Sequence, residues 1–198
     1  MRNSYAFLAV IMSLASGSVS AQDADWTGAY GGLSMATNTG THDYIGFDDY
    51  GVEGPAFGAF GGYLWGNGNL VYGAEVAATF GGVYEFETDG SESYMDEYEY
   101  DRFFDLKGRV GYAVSNFLVY GMLGVSRTRF DANIGEIDEV RTNATGLIYG
   151  LGADYKLGDS YFVGGEYLRR NYDYFEAGQE ADIDANLNTF TLRFGMQF

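Results

Sequence analysis

The chain has 198 residues, with 28 Asp and Glu against 11 Lys and Arg, a formal charge of −17 and no cysteine. The acidic balance argues against nucleic acid as a partner, and the lack of cysteine excludes disulfides and thiolate metal sites. Its 30 glycines, 18 tyrosines and 15 phenylalanines with a single proline are typical of many strands joined by turns.

The first predicted element is a secretory signal peptide at residues 1–21. Arg2 forms a short basic region, an apolar run extends from Tyr5 to Ala15, and Val19 and Ala21 stand in an A-x-A-like position before the cleavage point. A membrane anchor is the competing interpretation, but the run is too short to cross about 30 Å of hydrocarbon as a helix. We therefore expect the chain to be exported.

The remaining residues, 22–198, are expected to form one domain of eight strands, because alternation of apolar and polar residues recurs at regular intervals. The predicted strands are Trp26 to Ala36, Ala56 to Trp65, Leu70 to Phe80, Tyr100 to Tyr112, Phe117 to Phe130, Ala144 to Tyr155, Tyr161 to Tyr172 and Asn188 to Phe198. Short connections at "GNGN", "AVSN" and "KLGDS" alternate with long ones, so an up-and-down meander has all short turns at one end. The similar segments "LVYG", "LVYG" and "FVGG" each open a strand after a short turn, which indicates a repeat of strand pairs.

The two faces of these strands differ in polarity. In the third strand, for example, Tyr72, Val76 and Phe80 share one face while Gly73 and Glu75 share the other. Such faces predict an all-β fold, an eight-stranded antiparallel up-and-down transmembrane β-barrel with lipid outside and charge within. A soluble lipocalin-type barrel would show the inverse, and alternation alone does not distinguish the two. Balanced mid-strand charges favour the membrane barrel, with a predicted lumen charge network of Glu75, Asp105, Lys107, Arg109, Asp154, Lys156, Glu166 and Arg193.

Aromatic residues are expected to form girdles at the two membrane interfaces, although Tyr and Phe favour strands in any case. The predicted girdle at the short turns contains Trp65, Tyr112, Tyr120, Tyr155, Tyr161 and Phe198, and the one at the long connections contains Phe80, Tyr100, Phe104, Phe130 and Tyr172. In the fifth strand, our preferred register turns Val119, Leu123 and Val125 toward the interior.

The chain ends in "TFTLRFGMQF", a strand that places an apolar residue at every second position: Phe190, Leu192, Phe194, Met196 and Phe198. With "WTGAYGGL", "VYGAEV" and "GGEY", this ending resembles the small eight-stranded outer-membrane barrels of Gram-negative bacteria. These are the OmpA/OmpX-like and opacity-type proteins and, most similar, the porin-family outer-membrane proteins of α-proteobacteria. The resemblance implies contact with outer-membrane lipid and lipopolysaccharide. It also implies that the barrel-assembly machinery reads the last strand, ending in Phe198, as an insertion signal.

A barrel of eight strands is only wide enough for side chains to fill, whereas aqueous porins need about sixteen strands. Long inward cations could reach the inward acids, so we expect a closed lumen. Four inward glycines argue the other way by leaving room for a water file: Gly73, Gly150, Gly152 and Gly195. The expected function is a non-enzymatic surface barrel that contributes to envelope structure, with a small passive channel as the alternative.

A barrel enzyme that modifies lipid acyl chains is a third interpretation, with His42, between Thr41 and Asp43, as its only histidine. No cofactor is expected. Most of the acidic residues fall in the four long connections, where they favour solvation. A sharper hypothesis is that they collect Ca²⁺ or Mg²⁺ beside anionic lipopolysaccharide.

Overall fold

The structure, a computed structural model, describes residues 24–43, 50–81, 97–133, 140–175 and 182–198. The predicted signal peptide and the central parts of the four long connections lie outside these ranges. No helix within the described ranges has the length and apolar character needed to cross a membrane.

The described residues form eight strands that close into one barrel. They are β1 (Gly28–Asp43), β2 (Tyr50–Asn67), β3 (Leu70–Phe80), β4 (Glu97–Val114), β5 (Phe117–Asn133), β6 (Val140–Leu157), β7 (Tyr161–Phe175) and β8 (Asp182–Gln197). Each strand pairs antiparallel with the next, and β1 pairs with β8, which leaves no free edge. The predicted fold is therefore confirmed.

Several strands extend further toward the long connections than the sequence predicted. Strand β2 begins at Tyr50 rather than Ala56, and β6 begins at Val140 rather than Ala144. These extensions contain glycine and polar residues, so the apolar alternation fades while the backbone pairing continues. Alternation thus marks the apolar band of the barrel better than it marks the ends of the strands.

Side chains alternate between an apolar exterior and a mixed interior. Leu33, Leu123 and Leu151 are among the most exposed, at 68%, 60% and 68%. The buried set contains large apolar residues together with acids, bases and tyrosines, among them Tyr30, Glu75, Asp105, Lys107, Arg109, Tyr120, Asp154, Lys156, Glu166, Arg170 and Arg193. An interior of this kind is the inverse of a soluble core.

The predicted register of the fifth strand was wrong. Val119, Leu123 and Val125 are exposed on the exterior, whereas Tyr120 is buried. The prediction also placed Tyr120 in the girdle at the short turns, which agrees with that register because Tyr120 lies on the opposite face of the strand from these three residues. In the structure Arg127 is exposed at the edge of the apolar exterior, so the whole face points outward.

The aromatic girdles need two corrections. Tyr120 and Tyr172 are buried in the interior rather than placed at the interfaces. Their hydroxyl groups have interior partners, which a lipid-facing position would not supply. Tyr155 is half-buried, and the exposed members of the predicted girdles are Trp65, Phe80, Phe104, Tyr112, Tyr161 and Phe198. The side chains of Tyr100 and Phe130 lie outside the described set.

Candidate functional site in the barrel lumen

Glu75 on β3 lies at the centre of a cluster of buried charges. Its Oε1 is 2.6 Å from Lys107 Nζ, and its Oε2 is 2.9 Å from Arg109 Nη1 and 2.7 Å from Arg193 Nη2. The Tyr30 hydroxyl also donates a hydrogen bond to Oε2, at 2.9 Å. One carboxylate therefore joins strands β1, β3, β4 and β8 across the lumen.

Arg193 on β8 is the cation that contacts most of the acids. Its guanidinium pairs with Glu75 and Glu166, and its Nε lies 3.5 Å from Asp154 Oδ1. The same guanidinium stacks 3.9 Å from the ring centre of Phe60. A planar cation with five donors suits this position, because it serves several carboxylates and an aromatic face at once.

Arg109 and Tyr120 complete the central cluster. Arg109 Nη2 is 2.8 Å from Asp154 Oδ2, and its guanidinium lies 3.6 Å from the ring centre of Tyr120. The Tyr120 hydroxyl lies 2.9 Å from Glu166 Oε1. The other oxygen of this carboxylate, Oε2, accepts a hydrogen bond from Lys107 Nζ at 3.0 Å. The cluster contains three acids and three bases, so it is electrically neutral inside the lumen.

A second ion pair lies nearer the long connections. Asp105 Oδ2 is 2.7 Å from Arg170 Nη2, and Arg170 also donates to Thr189, which in turn contacts Asn38 at 2.6 Å. Arg170 was missed in the sequence prediction. Arg170 comes four residues after the inward Glu166 on β7, so the two-residue alternation already indicates that Arg170 faces inward and that the adjacent Arg169 faces outward.

The structure does not place Lys156 in the ion-pair network. It is buried at the short-turn end, where its Nζ donates to the carbonyl oxygens of Asp25 and Asp159. Lys156 Nζ also lies 5.3 Å from the ring centre of Trp26. The ion-pair network has four acids and four bases with Arg170 as a member, and Lys156, which the prediction counted among the bases, is a further buried cation outside it.

Residues 24–27, here called the N-terminal plug, lie at the short-turn end of the lumen. The Ala24 amide donates to the Ser115 carbonyl at 3.1 Å, and the Thr27 amide donates to Asp25 Oδ1 at 2.8 Å. This bond from Thr27 lowers the pKa of the Asp25 carboxyl. Trp26 is 3% exposed and packs edge-on to Phe162 with ring centres 6.0 Å apart. The prediction placed Trp26 in the first strand, but it belongs to this plug.

Inward glycines do not leave an open path among the described residues, because aromatic rings occupy the space beside them. A methyl group at Gly152 would lie 2.4 Å from the Tyr120 ring, and one at Gly195 would lie 2.3 Å from the Phe162 ring. A methyl group at Gly73 or at Gly150 would lie 2.1 Å from a backbone carbonyl oxygen of the neighbouring strand. Glycine at these positions therefore lets large inward side chains fit.

A cavity of about 20 Å³ lies beside the charged cluster and is lined by residues that include Glu75, Asp105, Lys107, Glu166 and Arg193. That volume holds about one water molecule. Among the described side chains there is no group of His, Cys, Asp and Glu that could hold a metal ion. The side chain of His42 and most of the acidic connections lie outside the described set.

The last strand presents its alternate residues to the exterior. Phe190, Leu192 and Phe194 are 47%, 49% and 52% exposed, whereas Met196 is half-buried. Phe198 is 76% exposed, and its amide donates to the Ala29 carbonyl at 2.8 Å. These contacts fit an anchor at the closing seam of the barrel. A role as an assembly signal stays a prediction.

Known proteins with similar sequences belong to the outer membrane. Residues 7–198 match the outer membrane protein beta-barrel domain family. The chain is 29% identical over 170 residues to the 22 kDa outer membrane protein of Rhizobium leguminosarum bv. viciae, which covers 84% of this chain and 71% of that protein.

Solved barrels share the fold. The attachment invasion locus protein Ail of Yersinia pestis aligns with a TM-score of 0.55 at 15% identity, over 87% of this chain and 99% of Ail. The protein OprG of Pseudomonas aeruginosa aligns with a TM-score of 0.51 at 16% identity, over 87% of this chain and 96% of OprG. From the family match and the closed barrel together, the chain belongs to the outer membrane protein beta-barrel domain family and is a protein of the bacterial outer membrane.

Proposed function

We propose that the protein is a non-enzymatic structural barrel whose lumen is closed to ions and solutes. It contributes to the mechanical continuity of the envelope and presents acidic connections on the cell surface. The single observation that carries this proposal is the buried charge cluster around Glu75 and Arg193, which crosses the lumen from β3 to β8.

Charge neutrality supports a closed lumen rather than a selective pore. Every acid of the network contacts at least one base at 3.0 Å or less, as in the pairs Glu75–Lys107, Asp105–Arg170 and Asp154–Arg109. An ion entering the lumen would have to separate these pairs, and an unpaired buried charge costs several kcal/mol. Channels instead use rings of one charge type that leave a hydrated path.

Aromatic packing supports the same proposal at the short-turn end. Phe162 lies about equally far from three other rings, at 6.0 Å from Trp26, 6.1 Å from Tyr30 and 6.2 Å from Phe60. These four rings form a layer that connects the N-terminal plug, through Trp26, to the charged cluster, where the Tyr30 hydroxyl contacts Glu75. A solute would have to displace both layers to cross the barrel.

Conductance in planar bilayers tests the closed lumen. Purified protein, checked for folding by heat-modifiable gel migration, is expected to give no stable single-channel steps, with a sixteen-stranded porin as the positive control. Reproducible porin-sized steps would overturn the proposal and favour the passive channel.

Surface presentation rests on the distribution of acidic residues along the sequence. The long connections hold most of the 28 acids, and in outer-membrane barrels these connections face outward. We propose that they keep the surface solvated, with Mg²⁺ or Ca²⁺ as their candidate partners. Thermal unfolding with and without millimolar Mg²⁺ distinguishes solvation from cation binding. If the acidic connections only solvate the surface, Mg²⁺ should not change the unfolding temperature, whereas cation binding should raise it.

The acyl-modifying alternative has its own test. Expressing the wild-type protein and His42→Ala in the same host, followed by mass spectrometry of lipid A, measures any change in acyl chains. The proposal predicts identical lipid A spectra for both proteins and for cells without the protein. A mass change that requires His42 would contradict it.

A further inference from the structure

The β1–β8 seam differs from the other strand pairings of the barrel. Strands β1 and β8 are the first and the last in the chain, so no turn or connection joins them. Every other pairing in the barrel is between consecutive strands, which the chain itself holds together. The seam depends on contacts alone, from Tyr30 opposite Gln197 at the short-turn end to Asp43 opposite Asp184. A contact that reaches across the seam therefore adds to its stability.

The N-terminal plug, which directly precedes β1, makes contacts on the far side of the seam. The Gln197 side chain on β8 donates to the Thr27 carbonyl at 2.6 Å. One strand further, the ring of Trp26 packs against Phe162 on β7. The plug is covalently attached to β1, yet these partners belong to the two strands on the other side of the seam.

The plug then continues to the wall opposite β1. Lys156 on β6 donates to the Asp25 carbonyl, and the Ala24 amide donates at 3.1 Å to the carbonyl of Ser115 in the turn between β4 and β5. Strand β5 is four places from β1 in either direction around the eight-stranded barrel. Four residues therefore cross the short-turn mouth from the first strand to the opposite wall.

Gly28 provides the bend from which this crossing starts. Its φ is +135°, a conformation that other L residues rarely adopt, and a methyl group there would lie 2.9 Å from the Phe198 carbonyl oxygen. One residue later the Ala29 carbonyl accepts a hydrogen bond from the Phe198 amide at 2.8 Å. The bend into the lumen and the short-turn end of the seam are thus side by side.

We propose that the N-terminal plug is a lock on the β1–β8 seam. When the short-turn ends of β1 and β8 separate, the plug still holds the start of β1 close to β6, β7 and the turn before β5. The seam then closes again before the rest of the barrel opens. The partners of the plug come from several strands, so the complete site exists only after the C-terminal half of the barrel has assembled. Loss of the lock should therefore speed unfolding rather than slow folding.

Hydrogen exchange of individual amides tests this lock, because it measures opening at the seam separately from opening elsewhere. Folded protein in detergent micelles is compared for the wild type, Trp26→Ala and the control Leu118→Ala. Leu118 is buried in the same apolar cluster as Trp26 but belongs to β5. In Trp26→Ala, amides at the short-turn end of β1 and β8 should exchange roughly tenfold faster, because the plug has lost its ring contact, while amides of β3 and β4 keep their protection.

The control separates a lock from general loosening of the core. Leu118→Ala also removes a large buried side chain, so it should speed exchange without favouring the seam. Equal acceleration of the seam amides in Trp26→Ala and Leu118→Ala would overturn the proposal. Acceleration in Trp26→Ala that is as large in β3 and β4 as at the seam would overturn it as well.

A reversible cross-link gives a second test, which also serves if Trp26→Ala does not fold. In Ala24→Cys/Ser115→Cys the two thiols are the only ones in the chain, and the backbones that carry them are in contact. The oxidised protein should unfold more slowly than the reduced protein and gain protection first at the seam, and reductant should reverse both effects. A disulfide that forms but leaves exchange at the β1–β8 seam unchanged would contradict the lock.

Discussion

The centre of the lumen and its short-turn end are both filled by side chains, but by side chains of different kinds. At the centre, the charges around Glu75 and Arg193 pair across the barrel within 3.0 Å. At the short-turn end, the rings of Trp26 and Phe162 pack beneath them with their centres 6.0 Å apart. Removing one partner of a charge pair lowers the unfolding free energy strongly, because the other charge stays buried without a partner. Replacing a ring of the aromatic layer by a smaller side chain lowers the unfolding free energy less, because it leaves a cavity but no unpaired charge.

This contrast explains how a narrow barrel can be stable with so polar an interior. Several ion pairs help to specify which strands face each other across the lumen, since they link strands that are not neighbours, as Glu75 on β3 links to Arg193 on β8. The aromatic layer supplies apolar burial that does not depend on matching partners.

The largest expected effect comes from neutralising the central acid. Glu75→Gln leaves Lys107, Arg109 and Arg193 short of one carboxylate, so the barrel should lose about 3–5 kcal/mol of unfolding free energy. Asp105→Asn is the matched comparison, because Asp105 contacts a single base, Arg170. Urea unfolding in detergent micelles measures both. Equal losses would show that the number of partners does not govern stability in the lumen.

A smaller effect is expected from filling the aromatic layer. Gly195→Ala puts a methyl group 2.3 Å from the Phe162 ring, and overpacking of this kind costs about 1–3 kcal/mol. Adding Phe162→Leu to that variant should recover part of the loss, since the shorter side chain frees the space. Additive losses in the double variant would mean that Gly195 and Phe162 do not share that space.

A spectroscopic difference should separate the two tryptophans without a large change in stability. Trp26 is 3% exposed inside the lumen and Trp65 is 45% exposed on the exterior. In Trp65→Phe, the remaining Trp26 should resist both acrylamide and brominated lipid. In Trp26→Phe, the remaining Trp65 should be quenched by brominated lipid. Strong acrylamide quenching of Trp26 would show that the short-turn end is open to water.

The smallest effect on the purified barrel is expected from deleting Phe198, whose side chain is 76% exposed. Unfolding free energy should fall by only about 1 kcal/mol, because the deletion removes a single backbone hydrogen bond to β1, from the Phe198 amide to the Ala29 carbonyl. In cells the amount of folded barrel should fall while export continues, if Phe198 marks the strand for assembly. An unchanged folded yield, read from heat-modifiable gel migration of membranes, would remove the signal role.

The sequence was sufficient to predict the fold because two-residue periodicity is a direct consequence of strand geometry. It also identified most of the inward charges, since Glu75, Lys107 and Arg109 alternate with apolar neighbours. It failed where both faces of a strand carry similar residues. In β5 the exposed face carries Arg127 beside apolar residues while the buried face carries Leu118, Tyr120 and Met122, and the prediction placed Tyr120 among the lipid-facing aromatics.

Contacts across the barrel could not be predicted from periodicity. Lys156 and Arg170 both face inward, yet only Arg170 meets an acid, because Lys156 lies at the level of the N-terminal plug. That difference depends on the height of a residue along a tilted strand, which alternation does not encode. The N-terminal plug could not be predicted for a related reason. Trp26 continues the apolar alternation of β1, although the strand itself begins only at Gly28.

The most direct test of the closed lumen is the reactivity of single cysteines, since the chain contains none of its own. Ser126→Cys and Thr191→Cys place thiols at buried inward positions, and Thr27→Cys places one at an exposed position near the short turns. With a charged, membrane-impermeant thiol reagent, Thr27→Cys should react at once, and the two lumen thiols only as slowly as the barrel opens. Rapid labelling of both lumen thiols in the folded barrel would contradict the account.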